Sequence, residues 1–139
     1  MIMPSEGYLL DTNIVSAYIK NIGEIRKCLN DIARKEKELF ISIVTHYEIR
    51  RGLLAVNATR KMKIFEEICK QFRILWFDSL EISENASEIY ASLRKRGELI
   101  SDNDIMIAAT ALTYNLTVIT DDGHFGRIQG ISVENWLRK

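Results

Sequence analysis

Apolar residues recur along this chain in two rhythms. Tyr8-Leu9-Leu10, Leu39-Phe40-Ile41, Arg73 to Phe77, Leu116 to Ile119 and Ile131 to Val133 are short runs, apolar and continuous rather than alternating. That continuity is the mark of strands covered on both faces. Between the runs the apolar residues fall at helical spacing. One stripe is Ile14, Val15, Tyr18 and Ile19, and a second is Ile22, Ile25, Leu29, Ile32 and Ala33, with a basic outer face. A third helix runs from Val44 through Tyr47, Glu48 and Arg51 towards Leu54; Asn57 and Thr59 break it, and Ile64, Phe65, Ile68, Cys69 and Phe72 restart it. Ile82, Ala86, Ile89, Tyr90 and Leu93 stripe a long helix that Gly97 stops. Ile105, Ala108, Ala109 and Leu112 stripe the next, whose small residues permit close packing. Ser42 precedes a helix and can accept from its unpaired N–H groups, Asp78 and Ser79 turn the chain into the long helix, and Ser101-Asp102-Asn103 can cap the one after it. Strands alternating with helices predict an α/β fold with a parallel sheet.

Composition narrows the class. The 139 residues are the length of one domain, and 47% hydrophobic content supplies a core without disulfides or structural metal. Cys28 and Cys69 have no metal-ligand spacing and sit at helical spacing among apolar residues, so both are expected to be reduced. Met1 to Gly7 lacks the basic and apolar regions of a signal peptide, and no apolar run is long enough to span a membrane. The expected location is the cytoplasm. A net charge of zero removes the simplest argument for nucleic-acid binding, a strongly basic domain. The stretch from Lys20 to Lys63 is nevertheless rich in Lys and Arg, including Arg34, Lys35 and Lys37. It reads either as solvated helix faces or as a rim for phosphate.

The acids carry the chemistry. Asp11 directly follows the first strand, and Asp122 lies in the turn after the fourth. Open parallel sheets build their sites at the carboxyl ends of strands, so the two point to one sheet edge. Asp104 opens the helix that enters the fourth strand, and Glu48 lies about two turns into the helix after the second, among Val44, Tyr47 and Leu54. Singly, each has an ordinary explanation. Asp11 can be a helix cap, Asp104 a charge at a helix dipole, Asp122 a turn residue and Glu48 a partner of Arg50 or Arg51. Together they form a carboxylate set whose mutual repulsion a divalent cation would relieve. Mg²⁺ prefers oxygen ligands, and a cation so held polarises a phosphoryl oxygen and acidifies a bound water, the chemistry of phosphodiester hydrolysis.

Five segments in this order resemble the PIN-domain family, and specifically its VapC-type toxins. They are Leu9-Leu10-Asp11-Thr12-Asn13, Ile41 to Glu48 with Gly52 after it, Asp104-Ile105-Met106-Ile107-Ala108-Ala109, Val118-Ile119-Thr120-Asp121-Asp122 with Phe125, and Gly130 to Leu137. The resemblance spans nearly the whole chain. It implies a single PIN-like nuclease domain over residues 1–139, a three-layer fold with a short central parallel sheet flanked by helices. It implies Mg²⁺- or Mn²⁺-dependent endoribonuclease activity on RNA, with Asp11, Glu48, Asp104 and Asp122 as catalytic acids and metal ligands. Asp121 competes with Asp122 for the fourth place, and Asp102 is an accessory ligand or a helix cap. Thr12, Asn13 and Thr120 are candidates to orient the acids by hydrogen bonds. Arg26, Lys27, Arg50 and Arg51 are candidates for the RNA backbone. His124 either approaches substrate phosphate or is an ordinary surface histidine, and His46 is read as ordinary. The family also implies a homodimer and a VapB-type antitoxin that inserts a peptide near the active site. Apolar residues between Ile43 and Phe72 serve either partner contacts or the core.

Rival functions find less support. An aspartyl phosphatase would place a second Asp two residues after Asp11, where Asn13 stands. A receiver module would want paired early acids and a lysine after a later strand, and no Gly-x-x-x-x-Gly-Lys run marks a phosphate-binding loop. A non-catalytic PIN-like module that binds RNA or protein is the remaining alternative. It would be favoured had the acids been missing.

Overall fold

The computed structural model describes residues 7–20, 23–34 and 38–137. Ile22, Lys35, Lys37 and the side chains of Ile32, Ala33 and Arg34 lie outside the described residues. Strand β1 (Gly7–Leu10) leads into helix α1 (Thr12–Ile19) and helix α2 (Gly23–Arg34). Strand β2 (Glu38–Ser42) leads into helices α3 (Ile43–Ala55) and α4 (Thr59–Gln71). Strand β3 (Arg73–Leu75) is followed by helices α5 (Leu80–Lys95) and α6 (Asp102–Tyr114), strand β4 (Thr117–Ile119), a 3₁₀ turn (Gly123–Arg127) and strand β5 (Ser132–Glu134).

The five strands form one parallel sheet in the order β3-β2-β1-β4-β5. The chain therefore winds outward from β1 to β3 and then returns across β1 to lay down β4. Successive strand residues point to opposite faces. Leu9 and Val118 join the core under α5 and α6, whereas Leu10, Ile41 and Ile119 join the core under α1, α2 and α4. This is the predicted three-layer α/β arrangement. Ala108, Ala109 and Ala111 are fully buried, so small side chains bring α6 close to its neighbours.

Element boundaries follow the predicted chemistry. Ser42, Ser79 and Ser101 each accept a hydrogen bond from a backbone N–H of the following helix. Gly97 adopts a positive φ of 68° after α5, and Asn57 takes φ 53° between α3 and α4.

Some apolar positions depart from expectation. Tyr47 and Leu54, read as flanking Glu48 on an inward face, are 57% and 55% exposed; the buried face of α3 is Val44, Thr45 and Ile49. Tyr90 is also exposed, and β3 ends at Leu75, leaving Trp76 on the surface. All three residues of β5 are exposed because β5 is an edge strand.

Gly7 is the tightest backbone approach. A Cβ there would lie 3.0 Å from the Glu38 carbonyl oxygen and from Phe40, and 3.1 Å from Leu116. Gly52, inside α3, faces open space. Gly7→Ala is expected to lower the unfolding free energy by roughly 1–3 kcal/mol through overpacking. Gly52→Ala should raise it by up to about 1 kcal/mol through helix propensity. Urea unfolding of the two variants checks both signs.

Candidate active site

The return crossover makes the carboxyl ends of β1 and β4 a topological switch point, the place where open α/β sheets form crevices. Leu10 and Ile119 are register partners, so the residues that follow them leave the sheet side by side. Asp11 donates its N–H to the Ile119 carbonyl and caps α1, its Oδ1 accepting from Thr12 N at 2.8 Å. Its Oδ2 accepts from Thr120 Oγ1 at 2.8 Å. The Thr120 hydroxyl in turn accepts from Asp122 N at 2.9 Å and from Asn13 Nδ2 at 3.4 Å. One buried hydroxyl thus ties both strand ends together.

Glu48 arrives from α3. Its Oε1 accepts from Thr12 Oγ1 at 2.8 Å, so the first turn of α1 holds a carboxylate that comes from a different segment. Asp104 arrives from the first turn of α6, where its N–H donates to Ser101 Oγ at 3.2 Å. Asp11, Glu48, Asp104 and Asp122 line one open pocket of about 470 Å³, together with Thr12, Asn13, Ser16, Ala17 and Lys20.

The neighbouring pair Asp121 and Asp122 separate in role. Asp121 accepts from Asn135 Nδ2 at 2.8 Å and donates its N–H to Asn13 Oδ1 at 3.2 Å, locking the end of β4 to the segment after β5. Asp122 is the one that lines the pocket. Asp102 is exposed and is not among the lining residues.

Crowding is written into the acids' proton affinities. Asp11 is only 4% exposed, and its pKa is pushed up to about 6. Burial is the main cause; the Thr120 and Thr12 hydrogen bonds oppose it, and the charges of Asp104 and Asp122 add to it. Asp104 is raised as well, first by burial and then by Asp122 and Glu48, against the opposing effects of Ser101 and His124. A set of oxygen donors that resists full ionisation suits a hard divalent cation, which would neutralise the charge that burial penalises.

Two residues near the acids carry positive or nitrogen chemistry. Lys20, at the end of α1, is the one lysine or arginine among the described residues lining the pocket. Sequence reading placed it only at the start of a basic stretch; that it lines one pocket with the acids is a tertiary fact. His124 has its ring Nδ1 3.2 Å from Asp122 Oδ1. Its signal in the sequence was its place two residues after Asp122, where its N–H donates to the same oxygen at 2.9 Å. His46 instead packs on Phe65 with ring centroids 5.4 Å apart.

The four cations read as candidates for the RNA backbone do not line this pocket. Arg26 lies over the Tyr18 ring at 5.1 Å and Arg51 over the Tyr47 ring at 4.9 Å, while Arg50 Nη1 donates to Met62 Sδ at 3.6 Å. These three and the exposed Lys27 are absent from the pocket lining.

The PIN-domain family model matches residues 8–131. This chain belongs to the PIN-domain family. It is 34% identical to ribonuclease VapC1 of Methanocaldococcus jannaschii over 122 residues, covering 87% of this chain and 80% of that protein. It is 32% identical to ribonuclease VapC2 of Haemophilus influenzae, over 94% of this chain and 98% of the relative. Its fold superposes with a TM-score of 0.84 on a chain of the crystal structure of DNA-bound VapBC from Salmonella typhimurium, at 28% identity and 96% and 99% coverage. All four pocket acids lie within the matched PIN region.

The raised Asp11 pKa sets a pH dependence in metal-free protein. An unfolded Asp titrates near 3.9, so between about pH 4 and 6 the folded chain binds more protons than the unfolded one. Stability from this group is present at low pH and is lost as pH rises through that window. A shift of about two units corresponds to roughly 3 kcal/mol. Asp11→Asn removes the titration, so its stability relative to the parent should rise by up to that amount between pH 4 and 7 in EDTA. Denaturant melts at both pH values test this; a gap that does not change with pH would mean that the Asp11 charge carries no penalty.

Proposed function

We propose that this protein is a VapC-type endoribonuclease, the toxin of a toxin–antitoxin pair, that hydrolyses RNA phosphodiester bonds with the help of a divalent cation. The observation that carries the reading is the convergence of Asp11, Glu48, Asp104 and Asp122, from four separate segments, on one pocket at the β1–β4 switch point. The ribonuclease names of its relatives support the same reaction class.

Asp11, Asp104, Asp122 and Glu48 would hold Mg²⁺ or Mn²⁺, which when bound supplies Lewis acidity at a phosphoryl oxygen and lowers the pKa of water. The remaining work belongs to the chain. Thr120 fixes the Asp11 carboxylate and the turn that presents Asp122. Thr12 occupies Oε1 of Glu48, which aims the other oxygen of that carboxylate for ligation or for orienting the attacking water. Lys20 offers a cation to the anionic backbone at the pocket rim. The water oxygen gives up a proton to solvent as it forms its bond to phosphorus, the bond from phosphorus to the 3′ oxygen breaks, and that oxygen takes up a proton. The products are a 5′ phosphate and a 3′ hydroxyl.

The partner reading is a VapB-type antitoxin, supported by the VapBC complexes among the structural neighbours, together with a homodimer. A groove of about 200 Å³ lined by Ile19, Ile49 and Leu53 shares Thr12, Ser16, Lys20 and Glu48 with the acidic pocket. An apolar peptide segment seated there would reach the acids. Among the described residues no helix is long and apolar enough to cross a membrane.

Incubation of purified protein with a cellular RNA pool tests the activity. Cleavage should appear with Mg²⁺ or Mn²⁺, vanish in EDTA, and fall by at least about a hundredfold in Asp11→Asn or Asp104→Asn. Mapping the new 5′ ends identifies the substrate. Thr120→Val should keep the fold while weakening cation affinity or activity roughly 10–100-fold, because it frees the Asp11 carboxylate from its orienting donor. Undiminished cleavage by folded Asp11→Asn protein would overturn the assignment.

A further inference from the structure

The acidic pocket is not purely an oxygen site. One carboxylate oxygen of Asp104, one of Asp122 and one ring nitrogen of His124 all lie within 4.8 Å of one another. An ion with ligands at about 2.1 Å places opposite ligands about 4.2 Å apart, so these three atoms can close on a single ion with small side-chain adjustments. Two contacts, one from the backbone and one from the ring, tie His124 to the same carboxylate oxygen. The His124 amide donates to Asp122 Oδ1 at 2.9 Å, and ring Nδ1 sits 3.2 Å from it. Asp122 itself caps the 3₁₀ turn that carries His124, so acid and imidazole move as one unit.

Elsewhere in the pocket Thr12 Oγ1 donates to Glu48, and Thr12 N and Thr120 Oγ1 donate to Asp11, so these two acids offer a cation carboxylate oxygen alone. The donor set is therefore asymmetric, with oxygen alone at the Asp11–Glu48 side and mixed oxygen and nitrogen at the Asp104–Asp122 side. Nitrogen donors discriminate between cations that carboxylates treat alike. Imidazole adds little to the binding of Mg²⁺, a hard ion that keeps its waters, and more to first-row transition ions.

We infer that His124 is a cation ligand alongside Asp104 and Asp122, and that it biases the site towards Mn²⁺ over Mg²⁺. The inference rests on the metal-dependent reading above and deepens it by assigning the ion preference to one side chain. His124 is exposed, so its replacement should leave the folded core undisturbed.

The test uses Mn²⁺ itself as the probe. Pulsed electron paramagnetic resonance of the Mn²⁺-loaded protein should show coupling to a directly bound imidazole ¹⁴N, and His124→Ala should lack it. The chain's other histidine, His46, packs against Phe65, and its replacement should leave the coupling in place. By calorimetry, the ratio of Mg²⁺ to Mn²⁺ dissociation constants should fall about tenfold in His124→Ala, mainly through weaker Mn²⁺ binding. Mn²⁺ binding without histidine nitrogen coupling, or an unchanged ratio in the variant, would overturn the inference while leaving the nuclease reading intact if RNA is still cut. Failure of both ions to bind the parent protein would overturn both.

Discussion

The parallel pairing of β1 with β4 is the constraint on which the site depends. These strands are distant in sequence, and only the return crossover through α5 and α6 sets them side by side. Their register delivers Asp11 and Thr120 to adjacent positions, and the 2.8 Å hydrogen bond between them closes the seam. Through the same hydroxyl the turn carrying Asp122 is drawn to the β1 end. Without that pairing, Asp11 would be an ordinary helix cap and Asp122 an ordinary turn residue.

What the pairing assembles is electrostatically unfavourable on its own. Four carboxylates share one pocket, and Asp11 is almost wholly removed from water. Burial and neighbouring acids raise the pKa of both Asp11 and Asp104. The fold tolerates this because hydrogen bonds hold the carboxylates in place: two to Asp11, one to Glu48 and one to Asp122. The stored repulsion is what gives such a site affinity for a cation, since bringing positive charge into it relieves a penalty already present in the folded chain. Rigid positioning by short-range hydrogen bonds and long-range repulsion between the same groups are thus two halves of one device.

The surroundings extend the device. Lys20 stands at the rim, an apolar groove continues from the pocket across α1 and α3, and His124 places a nitrogen beside two of the acids. The side chains of Tyr47, Leu54 and Trp76 are more than half exposed, so the stripe read along α3 and the run read through β3 overstated their cores. Periodicity identifies apolar positions but not whether a neighbour exists to cover them.

The sequence by itself determined the layer architecture, the helix caps and the four acids. Continuous apolar runs can only be buried on both faces, and serine before an apolar stripe has a specific donor to satisfy; both are local properties of the chain. Asp11 and Asp122 were legible because strand ends are legible, and ordered motifs tied Glu48 and Asp104 to them. The tertiary structure separates Asp121 from Asp122, because adjacent residues in a turn point different ways: Asp121 accepts from Asn135, whereas Asp122, which spacing to Thr120 and Phe125 already favoured, lines the pocket. It also decided which cation faces the acids. Arg26, Lys27, Arg50 and Arg51 were drawn from a basic stretch of the sequence, whereas Lys20 lines the pocket because it follows Asn13 and Ser16 on one face of α1. Charge along a chain is one-dimensional, and the field at a site depends on distances that only the fold supplies.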